Sequence, residues 1–213
     1  MPRYPVPDAA NPRVRRTRDR MLEAARELLS EAGPAGLTYS ELAARAGVTR
    51  QTLYRHWPAR SALLVDLILG GSGEVGPAGE EAEHAEYPEP GSDPRSVATA
   101  WLASLRAGMR DVARRAAVLA VTAQADTDPD SAHALIRITE DRRATLNALL
   151  APSGAELGPD EYALLTGPLL ARIFFERGEV TDDLIASAVT RWLATRGPAP
   201  GGPAASPVAG HPD

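Results

Sequence analysis

From Gly47 to Arg60 the chain reads "GVTRQTLYRHWPAR", a stretch dense in side chains that can read the surface of a nucleic acid. Arginine can donate two parallel bonds to guanine O6 and N7, glutamine can pair with adenine N6 and N7, and a threonine methyl or tyrosine ring can meet a thymine methyl. Arg50, Gln51, Thr52, Tyr54 and Arg55 supply those groups, while His56 and Arg60 suit phosphate oxygens at the edges of such a contact. On a helical wheel of about 100° per residue, Trp57 falls about 40° from Leu53. These two therefore form an inward face, and the polar set points out.

A helix of two turns returns too little from its own contacts to stay ordered, so neighbouring elements must hold it. The segment upstream supplies them. A first helix opens at Pro12, carries the stripe Met21, Leu22, Ala25, Leu28 and Leu29, and stops at Gly33. A second opens at Thr38, which stands at capping-box spacing from Glu41, and stops at Gly47. Thr49 caps the third, and Pro58 ends it because proline has no N–H to donate. Two short helices joined by a glycine-containing turn match the helix-turn-helix pattern, whose second helix enters a major groove. The free backbone N–H groups near Thr38, Tyr39 and Ser40 suit a phosphate.

"RMLEAARELLSEAGPAGLTYSELAARAGVTRQTLYRHWPARSALLVDLI" resembles the DNA-binding segment of the TetR family of bacterial transcription regulators. The likeness spans about 50 residues and includes "LTYSELAARAGV", "TLYRHW" and a basic residue at position 60. Where the family usually has phenylalanine, a polar residue and lysine, this chain has Trp57, Pro58 and Arg60. The resemblance implies a homodimeric repressor whose variable carboxy-terminal domain binds a small molecule. It also implies base contacts from Arg50, Gln51, Thr52, Tyr54 and Arg55, and phosphate contacts from Thr38, His56 and Arg60.

Charge is distributed unevenly in the same sense. Residues 1–66 hold 11 Arg against 7 Asp and Glu, and the remainder holds 12 Arg against 21, so a basic head precedes an acidic body. Five arginines lie between Arg13 and Arg20, expected either as an arm that is loose until it meets DNA or, equally, as an arginine-rich solvated helix start. Every basic residue is arginine, which coding bias alone can produce, so the distribution carries the argument and the total does not. With no cysteine, disulfides, thiol catalysis and cysteine-ligated zinc are excluded. No apolar run approaches a membrane span, and no secretory signal is legible, so a cytoplasmic protein is expected.

Apolar residues recur at three and four throughout, and the expected fold is all-α. A helix-turn-helix head over 12–58 precedes a ligand-binding and dimerisation domain over 60–196, with a disordered loop at about 70–92 and a disordered tail over 197–213. Helices are expected from Arg60, Asp93, Asp111, Asp128, Pro159 and Thr181. The last two are the most apolar, and Leu164, Leu165, Leu169, Phe175, Leu184, Ile185, Ala188, Val189 and Trp192 are expected to form the homodimer interface. Trp101, Leu105, Met109, Leu119, Ile136, Leu170 and Phe174 are expected to line a pocket, with His133 and Arg137 as its polar members. Asp126, Asp128 and Asp130 lack the glycine and glutamate that a calcium loop needs, having Ser131 and Arg137 at those positions. No metal site, cofactor motif or nucleophile motif is legible, and no enzyme is expected. The alternative is a helical small-molecule-binding or interaction protein that keeps a vestigial DNA-binding head.

Overall fold

The computed structural model describes residues 12–69 and 93–196. The expected loop and tail lie outside them. Nine α-helices account for most of the described residues, and no strand occurs among them. They are α1 (Pro12–Gly36), α2 (Tyr39–Ala46), α3 (Arg50–His56), α4 (Arg60–Ile68), α5 (Pro94–Gly108), α6 (Val112–Gln124), α7 (Pro129–Leu150), α8 (Pro159–Phe174) and α9 (Asp182–Thr195).

Side-chain caps set most of the boundaries. Thr38, Thr49, Asp93, Asp111, Asp128 and Thr181 each accept a bond from a backbone N–H of the helix that follows, satisfying donors with no partner inside the helix. Asp128 thus works as a cap, taking the N–H groups of Asp130 and Ser131. Gly33 ends the regular part of α1 at φ 64°, and the next turn through Gly36 lies beyond that kink. The arginines form the start of α1, which is helical from Pro12, so the loose alternative expected there is not seen. Pro12 suits a first helical turn, and Arg18 is tied down from a distance in sequence by Asp66 on α4.

Two apolar clusters fill the interior. The first joins α1, α2, α3 and α4 to Ala113, Ala117, Ala120 and Val121 of α6 and Ala134 of α7. The second joins Val97, Ala98, Trp101 and Leu102 of α5 to the end of α7 and to α8 and α9. Residues 58–60 therefore separate two helices without separating two cores. The head's interior continues through α4 into α6.

The apolar stripe of α9 packs against α5 and α8 of its own chain. Leu165, Leu169, Ile185, Ala188, Val189 and Trp192 are consequently buried within the monomer, and they cannot serve as the interface expected of them. Leu184 is half-buried, and only Leu164, at 41% exposure, and Phe175, at 86%, stay open. Periodicity shows that a face is apolar. It does not show whether the same chain covers it.

Candidate nucleic-acid interface

The turn into α3 is closed by Gly47, whose left-handed conformation at φ 64° lets its N–H reach back to α2 and reverse the chain. Val48 then adds an N–H bond to Ala43 O at 3.0 Å. Thr49 begins the next helix, its Oγ1 accepting from Thr52 N at 3.2 Å and lying 3.0 Å from Thr52 Oγ1. Leu53 is fully buried and Trp57 nearly so, which fixes the rotation of α3 about its axis. Arg50, Gln51 and Arg55 are left exposed, Tyr54 is 53% exposed, and Thr52 is half-buried. The structure thus brings the predicted base-reading side chains onto one outer surface.

Two polar joints clamp the far end of this seven-residue helix. Trp57 Nε1 and Arg18 Nη2 both donate to Asp66 Oδ2, the latter at 2.6 Å, so α3, α1 and α4 meet on one carboxylate. The Arg18 guanidinium also stands over the Trp57 ring at 5.8 Å. On the other side, Tyr39 Oη donates to Trp57 O at 2.7 Å, and its ring meets Tyr54 edge-on at 4.8 Å between centroids. Burial pushes the Tyr39 phenol above its ordinary range, and the nearby Tyr54 adds to this. Tyr39 therefore remains a neutral donor.

Sequence reading did not single out Asp66. The available signal was a lone acid inside "ALLVDLIL", because a carboxylate among buried side chains needs cationic or N–H partners.

Thr38, Tyr39, Tyr54 and Arg60 line a groove of about 410 Å³, together with Pro34, Leu37 and Pro58. Thr38 Oγ1 accepts from Glu41 N, which leaves its own proton available. Ser40 is exposed at the start of α2. Arg60 is bound more tightly than expected, since its Nη2 donates to Pro34 O and holds the turn between α1 and α2. Burial lowers its pKa, and Tyr39 partly opposes that shift. His56 is half-buried beside Trp57, and burial, then Arg18 and Arg55, hold its imidazole below the usual histidine value. At neutral pH it offers an N–H donor without a positive charge.

Residues 21–67 match the sequence model described as "Bacterial regulatory proteins, tetR family". The head carries the TetR-family sequence pattern over these residues. The match covers α1 from Met21 through α4, the elements just described. No curated protein matches the chain. Among solved structures, a TetR transcriptional regulator from Rhodococcus sp. RHA1 superposes with a TM-score of 0.53 at 23% identity, covering 88% of this chain and 99% of the other. GusR of Salmonella enterica gives 0.59 at 22%, with 84% and 94% covered. The multidrug binding protein EbrR, solved with imidazole, gives 0.55 at 18%, with 82% and 93% covered. The TetR-like architecture therefore extends past the head into the body.

The predicted pocket residues do not converge. Ile136, 54% exposed, lies with His133 and Arg137 on the outward side of α7, and Leu119 lies on the outside of α6. Trp101 is buried in the second cluster, and Leu105 packs against it. Leu170 and Phe174 are half-buried on α8. Met109 lines a cleft at the α5–α6 turn. Helical spacing could not separate these cases, because α7 turns only Ser131, Ala134, Leu146 and Leu150 fully inward. Among the described residues, no helix is long and apolar enough to cross a membrane, and no group of three or more His, Cys, Asp or Glu could hold a metal ion.

Proposed function

We propose that this TetR-family regulator is a repressor that grips a two-fold symmetric operator as a homodimer and releases it when a small molecule binds the body. The observation that carries the DNA-reading part is the outer surface of α3. Arg50, Gln51, Tyr54 and Arg55 stand free of the core while Leu53 and Trp57 lock the helix beneath them. Arg50 and Gln51 read bases, with Thr52, Tyr54 and Arg55 at their flanks. Thr38, the N–H groups of Tyr39 and Ser40, and His56 hold phosphates. Arg60 acts chiefly by fixing the α1–α2 turn that presents Thr38.

A single seven-residue helix reads few base pairs, and two of them in successive major grooves must stand roughly 34 to 36 Å apart. The dimer face consistent with the buried stripes is the line from the exposed Leu164 through the half-buried Gly167 and Ala171 of α8 to the exposed Phe175 that caps it. A ligand releases the operator only if it favours a dimer of different spacing. The route for that change is α4 and α6, since both are part of the head's interior. The solved complex of EbrR with imidazole supports a small-molecule role for a body of this shape.

A gel-shift titration with the DNA upstream of the protein's own gene tests the reading. Arg50→Ala and Gln51→Ala should each cost about 1–3 kcal/mol at one base pair while leaving non-specific affinity nearly unchanged. Unchanged sequence preference in both variants would remove α3 as the reader.

A further inference from the structure

The body is acidic overall, yet one place on it is not. Where the α5–α6 turn faces the loop after α8, a cleft of about 380 Å³ is lined by Arg106, Arg110, Arg115 and Arg177, over an apolar floor that includes Met109 and Ile173. Glu179 is the one acid in the lining. Arg106 is partly engaged: its Nη1 donates to Asp182 Oδ1 at 2.6 Å and to Val180 O at 3.3 Å, which ties α5 to the start of α9. Arg115 Nη1 donates to Met109 O and to Arg110 O, bracing the turn. Among the described residues, Arg110, Arg115 and Arg177 form no ion pair. Arg177 also holds a left-handed backbone at φ 54°, a conformation that costs a non-glycine residue free energy.

With Arg106 engaged by Asp182, the guanidinium groups of Arg110, Arg115 and Arg177 face one lining carboxylate, Glu179, and repel one another; a bound anion would relieve that repulsion through charge-assisted bonds. The floor favours an apolar group. Met109 and Val180 are already buried there, and Ile173 is half-buried. We propose that this cleft binds a small amphiphilic carboxylate, with its head on Arg110, Arg115 and Arg177 and its apolar chain on Met109 and Ile173. The volume lies near the lower end of those usual for small-molecule sites, which sets the ligand's size. The site adjoins the first residues of α6, whose Ala113, Ala117, Ala120 and Val121 belong to the head's core. Resting on the repressor reading above, the same carboxylate is the inducer.

Octanoate serves as the probe, octan-1-ol as its uncharged counterpart and inorganic phosphate as an anion without a chain. Calorimetry on the full chain should show octanoate bound at least about tenfold tighter than either, because an arginine–carboxylate bond and an apolar floor each contribute about that factor. Arg110→Gln with Arg177→Gln should weaken octanoate at least about tenfold. Ile173→Ser should do so independently, with circular dichroism unchanged in both cases. Equal binding of phosphate would overturn the amphiphile, and octanoate affinity unaffected by the arginine pair would overturn the site. A gel shift run in parallel separates the two readings. Octanoate that binds the cleft without loosening DNA leaves the site standing and removes induction, whereas a protein that binds DNA but does not bind octanoate removes the site and leaves the DNA-binding reading standing.

Discussion

Trp57 in the head and Trp192 in the body are each buried at or near the end of a helix, and the two are held differently. Trp57 closes a seven-residue helix, with its indole N–H on Asp66 and Arg18 over its ring. Trp192 lies near the end of a fourteen-residue helix, fully buried, with Arg196 over its ring at 5.3 Å, but its N–H meets no acceptor among the described residues. The longer helix gains enough contact along Ile185, Ala188 and Val189 to leave one donor unsatisfied. The short one cannot, and the half-buried Asp66 carboxylate supplies the missing orientation. Apolar area holds an element in place, while directional bonds decide which way a small element faces.

The largest expected effects come from deleting the two rings. Trp57→Ala and Trp192→Ala should each destabilise the fold by about 3–5 kcal/mol in urea melts. Only the first should abolish operator binding at temperatures where both variants remain folded; equal losses of DNA binding would break the contrast. Next in size, Trp57→Phe should cost about 1–3 kcal/mol more than Trp192→Phe, since it alone removes a satisfied bond to a charged acceptor. Matching melting temperatures would show that Asp66 adds nothing to the hold on α3.

Smaller again is Tyr39→Phe, which removes one neutral hydrogen bond to Trp57 O and should cost about 1 kcal/mol of stability. The smallest effect concerns pH. The folded-state pKa of His56 lies below its unfolded value, so the unfolded chain takes up the proton first as the solution is acidified. Stability should fall as pH drops through about 6.5 and level off below the lowered folded value. His56→Gln should flatten that part of a urea-midpoint profile, and a profile unchanged by the substitution would place the acid response elsewhere.

Helix ends were the most legible feature of the sequence, because a cap or an initial proline acts within one turn. Asp93, Asp111, Asp128 and Pro159 announced their helices before any packing was known. The outward set on α3 was legible for a similar reason, since the inward direction followed from just two anchors, Leu53 and Trp57. Partners distant in sequence were not. Nothing near Asp66 indicates that Arg18, 48 residues away, would meet it, or that Arg60 would reach back to Pro34. On α9 every apolar residue was read correctly as belonging to a face, yet that face turned to α5 and α8 instead of to a second chain. The arginine cleft draws on two stretches far apart in sequence, 106–115 and 173–180, so no single window could reveal it.

That α6 belongs to the head's interior has a consequence for how regulators of this build could exchange parts. A recombination joint placed after α4, where the family pattern stops, would separate Leu63, Leu64 and Ile68 from the alanines of α6 that cover them. The head and the body are thus bound by shared inheritance of one helix. A head transplanted onto a foreign body would keep its specificity for DNA only if it brought α6 along or met a replacement of the same small-residue relief.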